Sequence, residues 1–155
     1  MIYIGIDPGK SGALAVIHCL KDGTKIKTVP FDEEAYVHEL RQISQFVELT
    51  GDEVFAVVEK VHSMPKQSCV AMFTFGENFG FIQGALKSFC IPFDLVRPEV
   101  WKKALDCKSD KTTSIAVCKR LFPKVSLKRT EKCKVDDDGL AESLLMAEYG
   151  RRIRK

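Results

Sequence analysis

Three short apolar runs open the chain, over residues 2–7, 12–18 and 25–31, and both breaks between them, Pro8-Gly9 and Lys21-Asp22-Gly23, are turn signals. They predict an antiparallel meander of strands. Asp32 then stands as a cap before Val37, Leu40, Ile43, Phe46 and Val47, whose spacing predicts an amphipathic helix that Thr50-Gly51-Asp52 ends. Val54-Phe55-Ala56-Val57-Val58 is continuously apolar, as a strand buried on both faces must be, and it delivers Glu59 at its end. A loop with Pro65 inside it follows over 60–68. A long helix is predicted over 69–89, carrying Gly76, Gly80 and Gly84. Glycines at that spacing lower helix propensity but let another element approach closely, as a packing or a binding surface.

Residues 91–96 read as a further strand, and Pro98 suits the first turn of a short helix. Ser109 or Asp110 is placed to cap the next helix, whose apolar side is Ile115, Val117, Cys118 and Leu121 and which Pro123 stops. Residues 124–134 form a basic, polar linker. The last helix starts near Asp137 and carries Leu140, Ala141, Leu144, Leu145 and Ala147. Strands first, then alternating helix and strand, gives the order βββαβαβαα: an α/β chain with a mixed five-stranded sheet flanked by helices.

A chain of 155 residues with 45% hydrophobic and 29% charged positions is expected to form one domain, 1–155, with a substantial core. No stretch reaches the length of a membrane span, and the N-terminus lacks the basic and apolar regions of a signal peptide, which implies an intracellular protein. The six cysteines are scattered, with no CxxC and no His at zinc-ligand spacing. They read as thiols in a reducing compartment, the cytoplasm of a host cell. Net charge is only +3, yet residues 97–134 hold 12 basic against 4 acidic residues, while 1–96 carry a net −4 and 135–155 a net −1. A basic block beside clustered acids suits a polyanion brought to a metal.

The acids carry the chemistry. Asp7 and Glu59 each terminate an apolar strand, where a carboxylate loses hydration and needs a cation or hydrogen-bond donors in compensation. A third group is Asp136-Asp137-Asp138 with Glu142; Asp138 and Glu142, four apart, share a helix face that runs on towards Leu145 and Met146 and so points inward. One of the three aspartates is expected to cap the helix. Four converging carboxylates repel one another without cations, and oxygen-only ligands select Mg²⁺ or Mn²⁺. Such a set fits a two-metal phosphoryl-transfer site, with ions about 3.5–4 Å apart and Asp7 shared between them.

Gly5-Ile6-Asp7-Pro8-Gly9, Val58-Glu59-Lys60-Val61, and the block from Asp138 to Ala147 resemble the motifs of the RuvC family of Holliday junction resolvases, within the RNase H-like (retroviral integrase-like) superfamily. Phe79-Gly80-Phe81-Ile82-Gln83-Gly84 and Pro98-Glu99-Val100-Trp101-Lys102-Lys103-Ala104-Leu105 are similar to its phage or prophage branch. The first motif alone is shared with sugar-kinase and actin-like ATPases; all blocks in this order, across essentially the whole chain, are specific.

The resemblance implies a homodimeric, Mg²⁺-dependent, structure-selective endonuclease that nicks opposed strands of four-way DNA. Carried over singly, Asp7, Glu59 and Glu142 match ligand positions. Cellular members place the fourth three residues before the last acid, which here is Gly139; Asp138 is taken instead, with Asp137 as the alternative. Three residues after Glu59, cellular members carry a Phe that wedges between bases, and this chain has His62. Lys111 and one of Lys102 or Lys103 fall near phosphate-contacting positions, with Lys66, Lys108, Lys128 and Arg129 as weaker candidates. Rival readings are an RNase H-like nuclease for flaps, forks or structured RNA, and a catalytically silent junction-binding module. An actin-like ATPase is disfavoured because the chain is too short for the two domains such enzymes need, and it has no Walker-type loop.

Overall fold

The opening apolar runs pair as the meander expected of them, and the continuous apolar run after the first helix joins them edge to edge. A computed structural model describes residues 1–60, 68–108 and 111–154. Its elements are β1 (Ile2–Ile6), β2 (Ala13–Leu20), β3 (Gly23–Pro30), α1 (Glu33–Thr50), β4 (Val54–Glu59), α2 (Cys69–Ser88), β5 (Phe93–Val96), α3 (Pro98–Ala104), α4 (Lys111–Leu121) and α5 (Asp138–Ile153). The short Pro98 helix stands as an element of its own, so the described residues contain five helices. The strands form one mixed sheet in the order β3-β2-β1-β4-β5, antiparallel across β1/β2 and β2/β3 and parallel across β1/β4 and β4/β5.

Local chemistry accounts for the boundaries. The Asp32 carboxylate accepts the Ala35 N–H at 2.8 Å, capping α1, with Glu33 and Glu34 in the favourable first turn. The buried face of α1 is centred on Tyr36, Leu40 and Ile43, whereas Phe46, counted on that face from spacing, lies at its edge against the His18 ring. Ser68 caps α2 through the Ala71 N–H, and Asp137 caps α5 through the Leu140 N–H at 2.9 Å. The alternative caps for α4, Ser109 and Asp110, lie outside the described residues.

Both faces of the sheet are covered, making three layers. Ile2, Ile4 and Ile6 of β1, with Val54, Ala56 and Val58 of β4, pack against Tyr36, Leu40, Ile43, Ile82 and Leu86 of α1 and α2. Tyr3 and Val57, pointing the other way, pack with Trp101, Leu105, Leu140, Leu144 and Leu145 of α3 and α5. Helix α5 crosses β1 so closely that a Cβ on Gly5 would stand 2.0 Å from the Ser143 carbonyl oxygen and 2.3 Å from the Ala147 nitrogen. Glycine at position 5 is therefore a packing requirement. No helix among the described residues is long and apolar enough to cross a membrane. The six cysteines are free thiols, Cys107 and Cys118 buried.

The Gly5 contact is backbone against backbone, so it has no side chain to move aside. Gly5→Ala is expected to destabilise the fold by ~3 kcal/mol or more, at the upper end of overpacking costs. The loss should appear as a lowered urea midpoint, with Gly84→Ala, which has open space around it, as the tolerated control.

Candidate active site

Parallel pairing sets Ile6 opposite Val58, so the next residues along the two strands are Asp7 and Glu59. Because Ile6 and Val58 face α1 and α2, strand alternation turns Asp7 and Glu59 towards the layer of α3, α4 and α5. The Asp7 N–H continues the ladder to the Ala13 carbonyl at 3.0 Å, and its Oδ1 accepts the Gly9 N–H at 3.2 Å. The turn from Pro8 to Gly12 is thus wrapped around the carboxylate.

From the facing layer, α5 contributes Glu142, whose side chain is 13% exposed. Glu142 Oε1 accepts from Lys102 Nζ of α3 at 2.8 Å and from Ser114 Oγ of α4 at 2.9 Å. Glu59 Oε1 accepts the indole N–H of Trp101 at 3.1 Å. Burial pushes the Glu59 carboxyl up to about 7; the Asp7 and Glu142 charges add to the rise, and the Trp101 hydrogen bond and Lys102 charge oppose it. Asp7, Glu59 and Glu142 therefore lie within one another's fields, and ionising all three without a cation is unfavourable.

Asp138 opens α5, one turn ahead of Glu142, and its charge is felt by Arg129. Asp137 is engaged on both oxygens: Oδ1 accepts the Leu140 N–H, and Arg129 pairs with Oδ2 and reaches Oδ1 at 3.3 Å. Asp136 pairs with Lys119. Arg129 also donates to the carbonyl oxygens of Ser11 and Gly12, so it ties the Asp7 turn to the N-terminus of α5. That is a different position from the phosphate contact considered for it. Tyr36 brings its ring under the same turn. Its fully buried hydroxyl has no hydrogen-bond partner among the described residues, and burial followed by the Asp7 charge raises its pKa.

Among the basic candidates, Lys102 turns inward to Glu142, whereas Lys103 and Lys108 are exposed. Lys102 and Lys103 line one cleft with Pro98, Glu99 and Cys107. Lys111 is the first residue of α4. His62 and Lys66 lie outside the described residues. Trp101, Ser114, Tyr36 and the structural use of Arg129 were not assigned from sequence. Trp101 stood inside a quoted motif, but nothing in its spacing marks the distant acid it meets.

The donor chemistry fits a hard divalent cation: all oxygen, partly desolvated, with a raised carboxyl that a cation would draw back to its ionised form. As placed, with Glu142 held by Lys102 and Ser114, no group of three or more His, Cys, Asp or Glu side chains among the described residues is close enough to ligate one ion.

No protein-family profile matches the sequence, and no curated protein matches it. Solved structures do match. Thermus thermophilus RuvC in complex with a Holliday junction substrate superposes with a TM-score of 0.60 at 16% identity, over 99% of this chain and 96% of that one. The fold is that of RuvC. A second Thermus thermophilus RuvC structure gives 0.57 at 19% identity over 98% and 96%, and the yeast mitochondrial Holliday junction resolvase 0.50 at 14% over 96% and 77%. The expected mixed five-stranded sheet with flanking helices is thus shared with RuvC along nearly the whole chain.

The raised Glu59 carboxyl has a consequence for stability. A carboxyl that holds its proton more tightly when folded stabilises the native state below its unfolded pKa, near 4.5, and that contribution is lost as pH rises to about 7. In chelator, Glu59→Gln is therefore expected to raise stability at pH 8 by about 2 kcal/mol and to change nothing near pH 4.5. Parallel melting curves across that range check it; equal profiles for both proteins would contradict the burial of an ionisable group here.

Proposed function

We propose that the chain is a divalent-metal-dependent endonuclease that resolves four-way DNA junctions by paired nicks. The observation that carries this reading is the meeting of two strand-end acids, Asp7 and Glu59, with Glu142 of α5, on a fold shared with RuvC over 99% of the chain. The RuvC match bound to a Holliday junction substrate supports the choice of branched DNA. We read 1–155 as one nuclease domain working inside a cell, where its cysteines stay reduced.

In this reading Asp7, Glu59, Asp138 and Glu142 hold Mg²⁺, two ions with Asp7 shared between them, and Mn²⁺ can substitute. Asp138 is preferred to Asp137 because both Asp137 oxygens are committed to the helix cap and Arg129. When bound, the metal supplies Lewis-acid polarisation of the phosphate and a nucleophilic water at neutral pH. The chain's own residues do the rest. The turn amides and the donors on Glu59 and Glu142 fix the carboxylates. Lys103, Lys108 and Lys111, with Lys102 once it leaves Glu142, hold the DNA phosphates, and His62 and Lys66 are further DNA-contact candidates from the sequence alone. Water adds to phosphorus as the P–O3′ bond breaks, leaving a 5′-phosphate and a 3′-hydroxyl, with no protein nucleophile.

Two paired nicks require two sites, which a homodimer provides. Helix α2 offers the surface. Val70 and Phe73 are 76% and 69% exposed, and beyond the helix's own neighbouring backbone nothing described lies within 4 Å of where a Cβ on Gly76, Gly80 or Gly84 would be. The glycines are thus not used for packing inside the chain, and they leave room for a second α2. Phe73→Asp combined with Gly80→Arg is expected to convert a dimer to a monomer by sedimentation velocity and to replace paired nicks by single ones.

The decisive assay incubates the protein with a labelled immobile four-way junction, with Mg²⁺ or with chelator. Symmetric nicks only with metal are expected, and Y-shaped, flap and linear substrates should be cut at least ~10-fold more slowly. Asp7→Asn and Glu59→Gln should abolish nicking while junction binding survives. Full nicking by either variant overturns the assignment.

A further inference from the structure

Two of the acids at the site, Glu59 and Glu142, each accept from a neutral donor of the α3/α4 layer. Trp101, fully buried and the one tryptophan in the sequence, gives its indole N–H to Glu59 Oε1 at 3.1 Å. Ser114, fully buried on α4, gives its hydroxyl to Glu142 Oε1 at 2.9 Å. A buried indole N–H needs an acceptor, but a backbone carbonyl would serve as well and at less electrostatic cost than a desolvated carboxylate. Both donors engage Oε1, and neither the indole nor the hydroxyl carries charge. They can stay in place beside a cation, whereas Lys102, the third donor here, repels one. Nor can they titrate, so the hold persists at any pH at which the protein functions.

We propose that Trp101 and Ser114 are positioning residues that fix Glu59 and Glu142, each through one carboxylate oxygen, in the orientation that a divalent cation takes up. The inference deepens the reading of a metal-dependent site and rests on it. The mechanism is that of an outer shell: the donor removes the rotational freedom of the ligand before the ion arrives, so its loss weakens metal binding far more than it alters the reaction at saturating metal. Helix α3 is suited to the task. Pro98 sets its first turn, and Trp101 anchors it in the core with Leu105. The ring is further held by Lys102, whose ammonium lies 5.1 Å from the ring centre.

The test begins with Mn²⁺ binding by calorimetry in the absence of DNA. Trp101→Phe keeps most of the packing and removes the donor; Ser114→Ala removes the other. Each is expected to weaken Mn²⁺ binding by about 10–100-fold, and to raise the Mn²⁺ concentration for half-maximal junction nicking by a similar factor, with the rate at saturating Mn²⁺ within about threefold of wild type. Wild-type Mn²⁺ affinity in both folded variants overturns the positioning role alone. Absence of Mn²⁺ binding in the wild type overturns the metal-site reading and this inference with it.

A second measurement needs no Trp101 variant. Mg²⁺ titrated into the wild-type protein should shift the emission of the single tryptophan, and Glu59→Gln should abolish that response. Unchanged emission while calorimetry records binding overturns the role of Trp101.

Discussion

Helix α5 lies on β1 at backbone distance, and the site depends on that contact. With glycine at position 5, the Ser143 carbonyl and the Ala147 nitrogen come nearer to the strand than any Cβ would allow. The helix that carries Asp138 and Glu142 is thereby pressed onto the strand that ends in Asp7. Its inner face is almost wholly apolar from Leu140 to Ala147, so the same burial that stabilises the layer sets the height of the acids. Leu127 in the basic linker adds a buried side chain beneath it, and its carbonyl accepts the Asp137 N–H at 2.7 Å. The linker thus fixes where α5 begins.

A second restraint acts at the end of that contact. Arg129 bridges the Asp137 carboxylate and the carbonyls of Ser11 and Gly12, so the turn after Asp7 and the cap of α5 are tied by one guanidinium. Its planar fork presents five donors in fixed directions, matched to a carboxylate and two carbonyls at once, where a lysine offers three on one rotating nitrogen. Electrostatically the arrangement separates two kinds of acid. Asp136 and Asp137 are neutralised by Lys119 and Arg129 and serve the fold. Asp7, Glu59 and Glu142 face one another with Lys102 among them, and the imbalance shows in the raised Glu59 carboxyl.

Much of this was legible in the sequence because strand ends are legible. An apolar run that stops at an acid puts that acid at the end of a strand, and two such acids become neighbours when their strands pair side by side. The joining of β1 to β4, in parallel and in register, turns two separate strand-end acids into a pair. What was not legible came from elements whose spacing carries no information about their partners. Nothing in Pro98-Glu99-Val100-Trp101 says that the indole reaches an acid 42 positions earlier. The periodicity of α1 pointed to Val37 and Phe46, while the residue under the Asp7 turn is Tyr36, set by where the helix lands on the sheet. Arg129 read as one more cation in a basic block because charge counting cannot distinguish a solvated arginine from one folded into a cap.

The same packing closes one position of the last helix to any side chain. Gly139 stands three residues before Glu142. A Cβ on Gly139 would stand 2.3 Å from the Ser11 carbonyl oxygen and 3.1 Å from the Gly12 Cα. The turn that wraps Asp7 therefore occupies the space a side chain at 139 would need, and Arg129 holds it there. Asp138 stands one residue earlier, on the first turn, where the helix N-terminus favours negative charge. The closed space at 139 is thus a measure of how tightly this chain folds its first turn against its last helix.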